Sequence, residues 1–150
     1  MGAKEDLLAK MHARTTAKAS EETRQEAQRS RFADQLPKLY SMLEDAAQGV
    51  PELTVEWQDV SKEMDKRYAS LIVQFLGKTI RFDPQVKGGD YVVKTKGLDI
   101  VEIYFAPDTD GSWIATTQTK NELCLTADYF LNRLSVMVDE ENDTTIKLWD

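Results

Sequence analysis

An α+β fold, an antiparallel meander of about six strands flanked by an N-terminal and a C-terminal helix, is predicted by three observations. Between Tyr68 and Gln118 apolar residues recur at every second position, as in Leu71, Val73, Phe75 and again Val101, Ile103, Phe105. That is the period of a strand with one buried face. The runs are separated by Gly77-Lys78, Asp83-Pro84, Gly88-Gly89-Asp90, Lys96-Gly97 and Asp108-Thr109-Asp110-Gly111, and connections this short join hairpins but cannot hold parallel crossovers. On either side of this stretch the apolar spacing becomes helical, near 32–48 and near 120–138.

Residues 1–31 read as a polar, partly disordered or helical arm preceding a single α+β domain at 32–150. After Leu7, Leu8 and Met11 nothing apolar larger than Ala occurs before Phe32. A helix without a face to bury gains nothing from packing and is marginal by itself. Met1 to about Ser20 is therefore expected to be frayed, with Ser20, Glu21 and Glu22 opening a helical segment. An arm of this composition could also fold on a partner. The stripe then begins with Phe32, Leu36, Leu39, Tyr40 and Leu43, interrupted by Pro37. Either Asp34 caps a fresh helix with Pro37 in its first turn, or a longer helix kinks there. Gly49 followed by Pro51 marks its end.

Leu53, Val55 and Trp57 alternate with polar residues and give a first strand. Further strands are expected near 68–76, 79–82, 91–95, 98–105 and 112–118. Thr119 with Glu122 has capping-box spacing for the last helix, whose apolar side would be Leu123, Ala127, Phe130, Leu131, Leu134 and Val138. The acidic run 139–143 would end it, leaving 144–149 as a short strand or tail. With only two helices, one sheet face is expected to stay open to solvent or to a second copy, and a homodimer is one expected arrangement. The polar alternates Glu56, Gln74, Arg81, Lys94, Glu102 and Thr117 are the candidate partner-binding face.

Composition excludes more than it assigns. The net charge is -7, which disfavours nucleic acid and anionic lipid. Residues 1–35 hold seven Lys/Arg against six acids, so twelve bases and twenty acids fall in the remainder. A basic protein surface would be steered to that body. No apolar run approaches a membrane span, and the first residues lack a signal-peptide core. One cysteine, Cys124, fits a reducing compartment. A cytoplasmic location is expected.

Most catalytic designs fail for want of residues, although with 26 acids a carboxylate pair for hydrolysis stays open, none of them singled out by spacing. The only histidine, His12, lies in the arm, and Ser-His-Asp or Cys-His chemistry would need it. Cys124 reads as a small buried residue of the last helix, and one Cys with one remote His does not ligate zinc. Gly77-Lys78-Thr79 echoes a phosphate loop, but Ile72 stands where the pattern needs glycine. Asp108-Thr109-Asp110-Gly111 echoes half a calcium loop, with Ala106 and Thr117 at ligand positions; turn residues explain it better. Neither a cofactor nor a metal is expected. Tyr91, Lys94, Lys96, Tyr104 and Trp113 could furnish an aromatic and basic nucleic-acid face, against which the acidic balance works.

The expectation is a non-enzymatic acidic protein-binding module, whether adaptor, chaperone or immunity-type inhibitor. The size, acidity and closing hairpin-plus-helix resemble bacterial secretion chaperones in outline, although the helix dividing their strands has no counterpart here. The alternative is a small-ligand-binding or enzymatic cup formed by the curved sheet and a helix.

Overall fold

The computed structural model describes residues 2–61, 68–116 and 122–149. The order is α1 (Ala3–Ala47), β1 (Leu53–Ser61), β2 (Tyr68–Phe75), β3 (Lys78–Lys87), β4 (Asp90–Lys96), β5 (Ile103–Pro107), β6 (Trp113–Thr116), β7 (Glu122–Cys124) and α2 (Ala127–Trp149). The strands form one antiparallel sheet in sequential order. This is the expected α+β meander, with seven strands where about six were read.

Tight turns fix the register. Phe75 pairs with Lys78 and Lys87 with Asp90. The linking residues Leu76, Gly77, Gly88 and Gly89 all have positive φ, as two-residue hairpins of the favoured twist require. At Gly97 (φ 90°) a Cβ would stand 2.3 Å from the Thr79 carbonyl oxygen, so only glycine fits there.

Asp83-Pro84, read as a turn, lies inside β3. The ladder alternation explains how proline is tolerated. Lys87 and Asp90 flank a two-residue turn, which directs the amide edge of Pro84 away from β4. On its other side the pairing with β2 has already ended at Phe82, so no ladder bond needs the missing N–H.

Both helices cover the same side of the sheet. Phe32 of α1 meets Tyr68, Tyr91 and Trp113 edge-on at 5.3–5.7 Å. Phe130 of α2 meets Phe82 at 6.2 Å. Around them Leu36, Leu39, Leu43, Leu71, Val73, Ile80, Val93, Phe105, Leu134 and Met137 complete the core. Tyr40 is wholly buried, and its hydroxyl reaches the carbonyls of Ala69 (2.8 Å) and Phe82 (3.1 Å). Burial pushes that hydroxyl's pKa far above the usual range, and the nearby Asp83 carboxylate adds to the shift.

α1 is one 45-residue helix running through Pro37 and back to Ala3, the longer-helix alternative at that proline. Pro37 is exposed on the outer side, where its ring and lost hydrogen bond do not disturb the packed stripe. The helix is tied to the sheet further back than Phe32. Buried Gln28 accepts a hydrogen bond from the Tyr91 N–H at 2.8 Å and donates one to the Tyr91 carbonyl. Arg24 pairs with Asp90 at 3.1 Å and with Glu21 at 2.7 Å. The helix ends as expected, with Gly49 at φ 81° before Pro51.

The second helix starts later than its capping-box reading. Thr126 is the N-cap, its Oγ1 accepting from the Tyr129 N–H at 3.1 Å, and Glu122–Cys124 pair with β6 as the seventh strand. Thr119 lies outside the described residues. The buried stripe is Phe130, Leu134, Met137; Leu131 is half-buried and Val138 is exposed. The helix also continues past the acidic run to Trp149 instead of ending there. Successive acids are tolerated on a helix surface as long as they face water.

Candidate partner-binding face

The register brings the expected polar residues together. Thr54 faces Gln74 and Glu56 faces Ile72 across β1 and β2. Gln74 then faces Thr79 and Ile72 faces Arg81 across β2 and β3. Arg81 faces Lys96, Asp83 faces Lys94, and Lys94 faces Tyr104. Cross-strand partners share a side. Glu56, Gln74, Arg81 and Lys94 thus lie on the side away from the helices, and Glu102 joins them through an ion pair to Lys94 at 3.4 Å. Thr117 lies outside the described residues.

Among the described residues no helix or strand packs over this side. It is still not a bare polar surface. Ile72 and Val92 are buried within it, and Tyr104, Ala106 and Ile114 are half-buried. Long side chains screen them. Lys87 lies over the Tyr104 ring, its ammonium 3.9 Å from the centroid, a favourable cation–π contact. Arg81 pairs with Asp83 at 3.3 Å and reaches Gln58 at 3.5 Å. Val92, Ala106 and Ile114 thus sit on neighbouring strands, Ile72 stands apart from them across the polar open side of β3, and long charged side chains lie among them.

The face carries Arg81, Lys87, Lys94 and Lys96 against Glu56, Asp83 and Glu102. It is balanced in charge, so the acidity of the body sits elsewhere, around β1 and on α2. The aromatic and basic set splits. Lys94, Lys96 and Tyr104 are on the open side, whereas Tyr91 and Trp113 are buried under α1. No continuous stacking platform results.

The remaining candidates are resolved by placement. His12 is exposed on α1. Cys124 is exposed at the edge strand β7, not buried in a helix, because α2 begins three residues after it. Gly77-Lys78 closes the β2–β3 hairpin. Asp108–Gly111 is a self-satisfied turn in which the Asp108 N–H donates to the Ser112 carbonyl at 2.7 Å. There the Asp110 carboxylate accepts from the Ser112 N–H, which lowers its pKa. Among the described residues no group of three His, Cys, Asp or Glu side chains could hold a metal ion. None of the described helices is long and apolar enough to cross a membrane.

A groove of about 370 Å³ opens between α1, the Asp110–Trp113 turn and the start of α2, lined in part by Lys38, Met42, Cys124 and Leu125. Its polar lining is Gln35, Lys38, Asp110, Ser112 and Thr126. Alternation in the sequence marks Trp57 only as a residue of the first strand. It lies on the helix side but at the sheet edge, about half exposed (53%). Its position at the end of the strand order was the signal.

No family model matches the chain, and neither a curated protein nor a solved structure matches it.

Proposed function

We propose that this chain is a non-enzymatic adaptor that binds another protein through the open face of its sheet, in a cytoplasmic setting. The observation that carries the reading is the asymmetry of the sheet. One side is filled by Phe32, Tyr40, Phe82, Phe105 and Phe130, while the other offers apolar residues with long charged side chains among them. An interface needs an apolar centre with a polar rim; Val92, Tyr104, Ala106 and Ile114 offer the apolar part, with Lys94 and Glu102 beside them. The filling of the helix side leaves the ligand-cup alternative without comparable support. Exposed, unpaired Cys124 is compatible with a reducing compartment.

The test is co-purification from the native host with the wild-type chain and with the double variant Lys94→Glu/Tyr104→Ala. The expected result is an identified protein retained by the wild type and lost by a variant that melts normally. Equal retention by the variant, or a stoichiometric metabolite in the purified protein, would overturn the reading. Light scattering on the same samples shows whether the occupant is a second copy.

A further inference from the structure

We propose that the outer edge of β1 accepts an extended basic segment of a partner protein as an eighth strand. The inference rests on the protein-binding reading above and adds a second surface to it, with a defined chemistry.

The two ends of the sheet are unlike. At one end β7 is only three residues long, Glu122–Cys124, and short edge strands offer little to pair with. At the other end β1 runs for nine residues, and among the described residues nothing pairs with its outer side. The two-residue turn at Leu76-Gly77 makes Phe75 and Lys78 a hydrogen-bonded pair. Alternation from there places the amides of Thr54 and Glu56 in the β1–β2 ladder and turns those of Val55 and Trp57 outward. Donors and acceptors for an added strand are therefore already in line.

A fixed aromatic anchor stands beside them. The Trp57 ring meets the buried Tyr40 ring edge-on at 5.1 Å, and its Nε1–H donates to the Glu44 carboxylate. Held by two partners, the half-exposed indole loses little freedom on binding. Next to it a groove of about 390 Å³ runs between the end of α1 and β1, lined by Glu44, Ala47, Val50, Leu53 and Val55.

The charge names the occupant. From residue 44 to 59 the chain carries Glu44, Asp45, Glu52, Glu56 and Asp59 and no Lys or Arg, and β2 beside it has no charged residue. A second copy pairing edge to edge would bring like charges together, as β1 carries only acids. A segment alternating Arg or Lys with apolar residues fits instead. Its cations would face Glu56 on one side of the sheet or the Trp57 face and Glu44 on the other.

The probe is an acetylated, amidated octapeptide alternating Arg and Val, titrated into the full chain by calorimetry at low and physiological salt. Saturable one-to-one binding is expected, weaker at higher salt and absent for the Glu-Val counterpart. N-methylation of alternate peptide residues, in each of the two phases, should weaken binding at least tenfold in one phase only. Such modification blocks strand pairing without touching the protein. Trp57→Ala should also weaken it, and Lys94→Glu/Tyr104→Ala should not. No saturable binding, or equal binding by both methylated peptides, would overturn the proposal. Failure of the peptide with partner loss in the open-face variant would leave the adaptor reading standing. Peptide binding with partner retention in that variant would sink the open face and keep the edge.

Discussion

Alternate residues of the same strands build two sides of this sheet that do different work. Under the helices Val73, Ile80, Phe82, Val93 and Phe105 are almost fully buried. Their immediate neighbours in sequence, among them Gln74, Arg81 and Lys94, face out. The comparison teaches that the large aromatic and aliphatic core is carried on one side, while the other, among the described residues, buries only Ile72 and Val92 as apolar side chains, set among polar residues.

The largest test of that division is Phe130→Ala, which should cost about 3–5 kcal/mol by urea titration; a loss under about 1 kcal/mol would break the comparison. Leu131→Ala, on a half-buried neighbour, should cost less than Phe130→Ala.

A pH titration sharpens it next. Tyr40 has its pKa raised above the ordinary 10.0 mainly by burial, and Tyr129 is held at about 12 by burial and by Asp99. A raised folded value means that the neutral phenol stabilises the native state fully below pH 10, and that this is lost as pH climbs toward the folded value. For Tyr40 the loss is about 1.4 kcal/mol per pH unit above 10. Tyr40→Phe should flatten that part of the pH–Tm curve, while costing its two carbonyl contacts at neutral pH.

A smaller effect has the opposite sign. Thr95, on the helix side, is buried with its hydroxyl unpartnered. Thr95→Val should raise stability by about 1 kcal/mol, since it removes a desolvated polar group at nearly constant shape. An unchanged or lowered Tm would mean that the hydroxyl is satisfied in solution. Smallest of all, Lys94→Ala and Glu102→Ala should each move stability by less than about 0.5 kcal/mol. A loss above 1 kcal/mol would make the open face structural.

Much of this was legible in sequence because strand alternation and turn glycines are local signals. Leu71, Val73 and Phe75 announced the buried side, and Gly77, Gly88 and Gly89 announced the hairpins. Glu56, Gln74, Arg81 and Lys94 could be grouped because period two makes them alternates. What escaped depends on distant contacts. Helix α1 reaches back past Phe32 because Gln28 and Arg24 find Tyr91 and Asp90 more than sixty residues away, which no local stripe reveals. Proline inside β3 is allowed only because the β2–β3 pairing ends at Phe82. Cys124 and Glu122 looked helical through their spacing, but pairing with Ile114 and Thr116 drew them into a strand. Trp57 alternates like any inward residue, and only its place at the sheet edge exposes it.

The Arg24–Asp90 pair has a mechanical consequence. N-terminal to it, α1 continues for 21 residues from Ala3 to Thr23, about 30 Å at 1.5 Å per residue. Its side chains there are exposed, including Leu7, Leu8 and Met11. The segment is a lever with its fulcrum at the β3–β4 turn, so a tilt of about 10° at the root swings the far end by about 5 Å. Added salt weakens the Arg24–Asp90 pair, while buried Gln28 and Phe32 keep the root of that lever fixed to the sheet.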